Sequence, residues 1–235
     1  GKKIWRINSA AVDPMFRRHG IFRSLMGNGL KYVSARRGER IFGSFRTDIT
    51  AVEKVMCKSF GFVVFEKLLL LQFELDEIPS VKLEEDVSIR EVKPTDIERI
   101  YQICRSISPE KLQIFKIAPK DFLEPLLSRV VNKVVWFDSK RLVMEVEGKI
   151  VGYAHLTYTP PQRAGEIESF YVLPSRKSSK LIRLLLGKIL GFLAERNIRK
   201  LVVYLDEEWR STIEIFESFG FKPIASYCNT AKELL

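Results

Sequence analysis

Cysteine is scarce in this chain: 235 residues contain only three, at positions 57, 104 and 228. Three thiols this far apart do not make the disulfide framework of a small secreted domain. None of them lies in a Cys-x-x-Cys pair, the spacing that is typical of a zinc site. We therefore expect a protein without structural disulfides or a cysteine-bound metal, and the reducing cytoplasm as its compartment.

Long apolar runs are also missing. The longest uncharged apolar stretches, such as 68–71 and 189–194, are far shorter than the roughly 20 residues that a membrane-spanning helix needs. The first residues, Gly-Lys-Lys-Ile-Trp, do not have the pattern of a signal peptide. From these observations we expect no membrane segment.

Basic residues outnumber acidic ones by 39 to 29, which gives a formal net charge of +10. The excess is densest in residues 1–80, where 14 Lys and Arg face 8 Asp and Glu, so 14 − 8 = +6. Such a balance favours polyanionic ligands, namely nucleic acid, anionic lipid or a phosphate-rich cofactor, although it also serves solubility alone. With 46% hydrophobic residues the chain is apolar enough to fold.

Two parts of the chain repeat each other. The tetrapeptide Ser-Phe-Gly-Phe at 59–62 recurs at 218–221, and Val-x-Pro at 12–14 recurs at 172–174, so the offsets are 159 and 160. Between these anchors both copies have the pattern of a basic loop, an amphipathic helix, a strand and a second helix. The first amphipathic helix is predicted to bury one apolar face, made of Ile21, Phe22, Leu25, Met26, Leu30 and Val33.

The charged segment 76–86 contains Pro79 and is predicted to be a linker. After it the patterns indicate strands at 87–92, 134–137, 141–146, 150–158 and 166–172, with a helix from 94 to about 105. The sequence thus predicts one complete unit at 81–235 and only the carboxyl-terminal half of a related unit at 1–80. The missing half would leave strand edges and apolar faces exposed, so we expect residues 81–235 or a second copy in a homodimer to cover them.

One loop carries a resemblance to a known family. The sequence Val-Asp-Pro-Met-Phe-Arg-Arg-His-Gly-Ile at 12–21 resembles the cofactor loop of the GNAT superfamily of acyl-CoA-dependent N-acyltransferases, Val-x-Pro-x-x-Arg-x-x-Gly-Ile-Gly/Ala. The resemblance implies an α/β fold with a mixed, mostly antiparallel sheet flanked by helices, here as one complete unit plus the carboxyl-terminal half of a second.

The chemistry of such a loop follows from helix geometry. The first N–H groups of a helix lack partners and, with the helix dipole, bind phosphate, while a glycine lets the backbone approach closely. In the family this loop holds the pyrophosphate of coenzyme A. The resemblance therefore implies cofactor contacts in the first copy from Arg17, Arg18, His19, Gly20, Ile21 and Phe22, although the family prefers glycine or alanine at the last position.

The corresponding loop of the second copy keeps its basic character but has Lys180 in place of the family's glycine. It binds a phosphate or is an ordinary solvated turn, and the sequence leaves both interpretations open. Its candidate cofactor contacts are Val172, Lys177, Ser178, Ser179, Lys180 and Leu181.

Acyl transfer to an amine needs a base, because only a neutral amine attacks a thioester. Glu166 and Glu168 point to one face of a predicted strand, and the resemblance implies that a glutamate on this strand serves as that base. The first copy has Arg6 and Asn8 at these positions. His155 is either a second base or a buried, hydrogen-bonded histidine.

A proton donor is harder to assign. The family's usual tyrosine is replaced by Phe216 in the second copy and by Cys57 in the first, so either Tyr204 is a weak substitute or no dedicated acid is used. The resemblance implies an N-acyltransferase that moves an acyl group, most simply acetyl, from acetyl-CoA to a small-molecule or peptide amine. The alternative is a degenerate GNAT-like module that binds coenzyme A or a partner without turnover. Nucleic-acid binding is disfavoured, because the basic residues are dispersed and no reader motif is present.

Overall fold

The computed structural model describes residues 3–7, 9–74, 86–107, 138–175 and 178–234. Two compact units divide the chain. The first unit contains residues 1–70 together with 224–235, and the second contains residues 71–223. The predicted strand at 134–137 and most of the predicted linker lie outside the described residues.

The first unit combines strands β1 to β3 with the last strand of the chain. Along the sequence come β1 (Ile4–Ile7), α1 (Ile21–Ala35), β2 (Arg40–Arg46), α2 (Thr50–Glu53, continued as a π-helix over Lys54–Ser59) and β3 (Val63–Glu74). Strand β9 (Lys222–Glu233) lies between β2 and β3 and runs antiparallel to β2, while β1 runs parallel to β2. The core of this unit contains Met26, Leu30, Val33, Ile41, Phe45, Met56, Phe62 and Cys228.

Among the described residues of the second unit, five strands lie side by side in the order β8-β7-β6-β5-β4. Its elements are β4 (Val87–Glu91), α3 (Ile97–Ile107), β5 (Asp138–Val146), β6 (Lys149–Thr159), β7 (Ala164–Val172), α4 (Ser178–Ala194), β8 (Lys200–Asp206) and α5 (Arg210–Ser218). Strands β4 to β7 pair antiparallel, whereas β7 and β8 pair parallel. This mixed, mostly antiparallel sheet flanked by helices confirms the predicted fold class.

Side-chain alternation along β6 explains why helices cover both faces of this sheet. Tyr153 packs with α3 on one face. Tyr158 points to the other face and packs edge-on against Phe192 of α4. On that same face Phe170 of β7 packs against Phe216 of α5. Because neighbouring strand residues point to opposite faces, one strand supplies both cores.

The repeat in the sequence has a counterpart in the strand registers. In the first unit Ile4–Ile7 pair with 40–43, and in the second unit the residues 160 positions later, 164–167, pair with 200–203 in the same parallel register. The second helix of each copy ends before a glycine with positive φ, at Gly61 (+67°) and Gly220 (+98°), the conformation expected after a helix end.

The compact units do not coincide with the predicted division into 1–80 and 81–235. The last strand, β9, falls in the first unit because it pairs with β2 from Arg40↔Glu233 to Arg46↔Tyr227. The division at residue 80 therefore remains a prediction about the sequence repeat. All three cysteines are free thiols. No described helix is long and apolar enough to cross a bilayer.

Candidate active site

The second unit opens where strands β7 and β8 part. The two strands pair only from Ala164↔Lys200 to Ile167↔Val203, although β7 continues to Val172 and β8 to Asp206. A cavity of about 270 Å³ is lined by the outer part of β7 and by the starts of α4 and α5. Its lining residues are Ile107, Phe170, Tyr171, Val172, Pro174, Ser178, Ile182, Glu208, Trp209, Ser211 and Thr212. Beyond Ile167, the backbone N–H and C=O groups on this edge of β7 are not paired with β8, so they can hydrogen-bond a ligand in the cavity.

Two of the second copy's predicted cofactor contacts, Val172 and Ser178, line this cavity. The Ser178 hydroxyl donates a hydrogen bond to the Ser175 carbonyl at 2.8 Å, which fixes the turn at the start of α4. Ser179 and Lys180 are exposed on the first turn of that helix. The Leu181 side chain is buried in the core, so only its backbone is left to reach a ligand. Lys177 lies outside the described residues.

The first copy's predicted cofactor loop belongs to the other unit. Residues 13–21 are exposed, and α1 begins at Ile21 directly after Gly20, whose φ is +76°. The Arg17 side chain donates a hydrogen bond to the Val12 carbonyl at 3.1 Å, while Arg18 adopts a φ of +67°. His19 is exposed, and Phe22 packs against the core of the first unit. These predicted contacts thus belong to the first unit, whereas the residues that line the cavity at β7 belong to the second unit.

The two predicted catalytic glutamates share a second cavity, of about 330 Å³, further back along β7. Thr157 and Thr159 of β6 and Val202 of β8 also line it. The pairing of β6 with β7 contains a bulge: His155 faces Ser169 and Leu156 faces Ile167, which leaves Glu168 as the extra residue. The Thr157 hydroxyl donates a hydrogen bond to Glu168 Oε1 at 3.1 Å and holds that carboxylate on the Glu166 side of the strand.

The environments of the two glutamates differ. Glu166 is half-buried and sits opposite Val202 in the paired part of β7, whereas Glu168 is exposed. Burial, and secondarily the charge of Glu168, raises the pKa of Glu166 to about 7. A carboxyl group with such a pKa can both accept and release a proton near neutral pH. In the first copy the corresponding Arg6 is exposed on β1, and Asn8 lies outside the described residues.

A polar row crosses the same face of the sheet next to the glutamates. Arg141 of β5, His155 of β6 and Ser169 of β7 are register partners. Burial and the nearby Arg141 charge lower the pKa of His155 to about 4, so this imidazole is neutral at pH 7. Its Nε2 is buried and has no hydrogen-bond partner among the described residues. A neutral imidazole with so low a pKa is a poor base, so Glu166 is the better candidate.

The three candidate proton donors differ in burial and in their position relative to Glu166. Phe216 is fully buried against aromatic neighbours and carries no proton to give. Cys57 belongs to the first unit, and burial raises the pKa of its thiol. Tyr204 is exposed on β8 two residues after Val202, so it lies on the face of the sheet that carries Glu166. Tyr204 is therefore the candidate that the geometry favours.

Sequence reasoning did not find the contribution of the α5 start to the site. Trp209, Ser211 and Thr212 line the cavity at the parting strands, and Trp209 packs edge-on against Tyr171 with ring centroids 6.0 Å apart. A helix was predicted there, but no spacing in the sequence shows that its first turn faces a gap in the sheet. The described residues also hold no group of His, Cys, Asp and Glu side chains that is placed to bind a metal ion.

Comparison with known proteins identifies the family. Residues 109–221 match the model of the acetyltransferase (GNAT) family. This part of the chain belongs to the GNAT family. The match covers the parting strands and both glutamates, and the GNAT domain includes residues 109–137, which lie outside the described ones.

Two curated relatives of this chain are mycothiol acetyltransferases. The one from Thermomonospora curvata is 33% identical over 100 residues, which are 42% of this chain and 33% of that protein. The one from Thermobifida fusca is 26% identical over 236 aligned positions, which cover 90% of this chain and 70% of that protein. The alignment with the first relative thus spans about a third of its length.

Solved structures share the fold. A GCN5-related N-acetyltransferase from Sphaerobacter thermophilus superposes with a TM-score of 0.70 at 20% identity. The superposition covers 94% of this chain and 70% of the chain of that protein. A tandem GNAT protein from the clavulanic acid biosynthesis pathway gives a TM-score of 0.70 at 12% identity, with coverage of 99% and 76%. At these identities the likeness concerns the fold alone.

Proposed function

We propose that this protein is an N-acetyltransferase that moves the acetyl group of acetyl-CoA to a primary amine, and that the second unit performs the reaction. The observation that carries the proposal is the parting of β7 and β8 with a cavity at the gap and Glu166 just behind it on the same strand. The match to the GNAT family model and the names of the curated relatives support acetyl as the transferred group.

The residues around the gap fit an acyl-CoA. The outer backbone of β7 is free of β8, and the cavity offers apolar groups such as Phe170 and Ile182 beside the hydroxyl of Thr212. The first turn of α4, with Ser178 and Lys180, presents helix N–H groups and a positive charge suited to phosphate. Bound acetyl-CoA would supply the acyl group as an activated thioester.

The protein's own residues accept and donate protons on one face of the sheet. Glu166, with a pKa of about 7, accepts the proton of the incoming ammonium and passes it to solvent through the open side of its cavity. The charge of Glu168, which Thr157 holds beside Glu166, helps to keep the pKa of Glu166 high. The Tyr204 hydroxyl, on β8, is the group that we assign as proton donor.

The panel of acceptor amines starts from the curated relatives. Because both curated relatives are named mycothiol acetyltransferases, the acceptor of that reaction heads the panel of amines. Polyamines, free amino acids and short peptides with an amino-terminal or lysine amine complete it.

Two measurements test the proposal. The first is acetyl-CoA binding by titration calorimetry, and the second is release of free thiol with each amine of the panel. We expect binding and turnover, and we expect Glu166→Gln to lower kcat by about 10²–10⁴-fold with acetyl-CoA affinity nearly unchanged. Glu214→Gln, on the exposed side of α5, is the matched control and retains full rate.

The outcomes discriminate between an active N-acetyltransferase and a degenerate module that binds coenzyme A without turnover. Binding of acetyl-CoA without turnover of any amine would favour the degenerate binding module. Absence of binding would refute the cofactor assignment altogether. Full activity in Glu166→Gln would refute the assignment of the base while leaving the acetyltransferase proposal intact.

A further inference from the structure

One face of the sheet in the second unit changes from apolar to polar within two residues of each strand. Helix α3 covers the apolar part, and the side chains that pack with it include the register partners Val143, Tyr153 and Tyr171. The next row on this face, two residues closer to the glutamates, is the polar row of Arg141, His155 and Ser169. The polar row thus lies between a packed core and the cavity of the glutamates.

The polar row does not serve the packing of the fold. Its three side chains are half-buried, and His155 Nε2 is buried without a hydrogen-bond partner among the described residues. A buried polar atom without a partner costs free energy of folding, and most such atoms in native proteins have one. Apolar side chains in this row would extend the core around Val143 and Tyr153 without that cost. A ligand therefore explains the row better than folding does.

The row presents two hydrogen-bond donors, and one of them is charged. Arg141 shares a hydrogen bond with the Tyr153 hydroxyl, and a guanidinium has five N–H groups, so it can donate to a further acceptor as well. Burial and the Arg141 charge lower the pKa of His155 to about 4, which keeps its imidazole neutral at pH 7. In the tautomer that carries the proton on Nε2, His155 is the second donor. Because the two residues are register partners on antiparallel strands, their Cβ atoms are about 5 Å apart.

The polar row borders the cavity of the two glutamates. Thr157 follows His155 by two residues on β6, Glu168 directly precedes Ser169 on β7, and both Thr157 and Glu168 line that cavity. Thr157 is also the register partner of Glu166. One strand spacing and two residues along the strand therefore separate His155 from Glu166, which puts their Cα atoms about 8 Å apart. A small molecule that contacts Glu166 is thus within reach of the row.

We propose that the polar row is an anion subsite for the acceptor, and that the acceptor is an amino acid whose carboxylate binds His155 and Arg141 while its amine lies at Glu166. This inference rests on the proposed function, since it names the acceptor of that reaction. Hydrogen bonds of about 3 Å at both ends leave a few ångströms between amine and carboxylate. That span suits an amino acid with one or two carbon atoms between the two groups.

Other occupants of the row fit less well. A water molecule would also bond to His155 Nε2, but it carries no charge to complement Arg141. A second ammonium group, as in a polyamine, would be repelled by Arg141 and would give the N–H donors nothing to bond. Glu168 does not take this place, because Thr157 holds its carboxylate on the Glu166 side of the strand. A carboxylate matches both the charge and the donors of the row.

The experiment compares acceptors that differ in the carboxylate alone. Each common L-amino acid with a primary amine is paired with its α-amide, and turnover is followed as release of free thiol from acetyl-CoA. Binding is measured separately by NMR titration in the presence of coenzyme A, which has no acetyl group to transfer. We expect at least one amino acid to exceed its amide about tenfold or more in both kcat/KM and affinity. The amide has the less basic amine, which by itself would favour the amide.

Variants of the row test whether it is the source of that preference. His155→Phe and Arg141→Gln should each lower kcat/KM for the amino acid about tenfold or more and change that for its amide much less. A merely structural role would lower both alike. His155→Gln keeps an N–H donor and should retain most of the preference. Arg183→Gln, an exposed position on α4, is the matched control for a lost charge and should retain all of it. If Arg141→Gln does not fold, His155→Phe decides.

Failure of the subsite and failure of the reaction give different results. Turnover of amines with no amino acid preferred to its amide would overturn the anion subsite and leave acetyl transfer standing. A preference for the carboxylate that survives in His155→Phe and Arg141→Gln would overturn the subsite as well, because another group would then bind the carboxylate. Binding of amino acids over amides that these variants lose, without turnover of any amine, would support the subsite and refute the reaction. Absence of amino acid binding would overturn the subsite.

Discussion

Removing the charge of Glu168 should make the enzyme more active at low pH. Burial is the main cause of the high pKa of Glu166, and the Glu168 carboxylate is the second cause. Residues two apart on a strand are separated by about 7 Å, and Coulomb repulsion over that distance shifts a pKa by about 0.4–1.7 pH units, depending on the effective dielectric constant. Because Glu168 is exposed, solvent screening favours the lower end, about half a pH unit.

The expected effect of Glu168→Gln is therefore a fall of the Glu166 pKa from about 7 to about 6.5. At pH 6 the ionised fraction of Glu166 rises from about one in eleven to about one in four, so kcat/KM should increase roughly 2.5-fold. Above pH 8 Glu166 is ionised in both proteins, and the two rates should converge. The sign follows from the role of Glu166 as a base, which acts only when it is deprotonated.

The assay is the pH dependence of kcat/KM between pH 5.5 and 9 with one acceptor, since the acceptor's own ionisation is then the same for both proteins. A carbon NMR titration of the Glu166 carboxyl, assigned by its loss in Glu166→Gln, reports the pKa without turnover. Salt at 1 M should shrink the difference between wild type and Glu168→Gln. If the acidic limb of the kcat/KM–pH profile stays in place or moves to higher pH in Glu168→Gln, the electrostatic coupling of Glu166 and Glu168 is refuted.

Three further predictions concern packing, ion pairing and the cofactor cavity. Phe216→Ala should cost about 3–5 kcal/mol of unfolding free energy in a urea titration, because Phe216 is fully buried in the aromatic core. Two hydrogen bonds from Arg90, at 2.7 and 3.0 Å, lower the pKa of Asp96, so this pair stabilises the fold above about pH 4 and the effect is lost progressively in acid. Asp96→Asn should therefore lower the urea midpoint at pH 7, and by progressively less as the pH falls below about 4. Trp209→Ala should raise KM for acetyl-CoA about tenfold with little change in kcat, since Trp209 lines the cavity away from Glu166.

The repeat was predictable because its anchors are conformationally demanding. The proline of Val-x-Pro and the glycine of Phe-Gly-Phe both restrict the backbone, and the offset of 160 residues between the two Val-x-Pro sequences reappears in the registers of β1 with β2 and of β7 with β8. The Val-x-Pro directly follows a strand only in the second copy, because β1 already ends at Ile7 whereas β7 ends at Val172. The neighbour of β2 was not predictable. Strands β3 and β9 have equal length and start 159 residues apart, so an alternating pattern fits either one beside β2.

Alternation also predicted that Glu166 and Glu168 share a face, but it could not predict that they differ. The difference comes from where the parallel pairing ends. Glu166 lies opposite Val202 inside the paired stretch, and Glu168 follows Ile167, the last paired residue, at the bulge. Strand β8 therefore helps to bury the first carboxylate and leaves the second one in solvent. The same parting that opens the cofactor cavity thus gives one glutamate a pKa near 7, and moving the end of the pairing by a single residue would change both properties together.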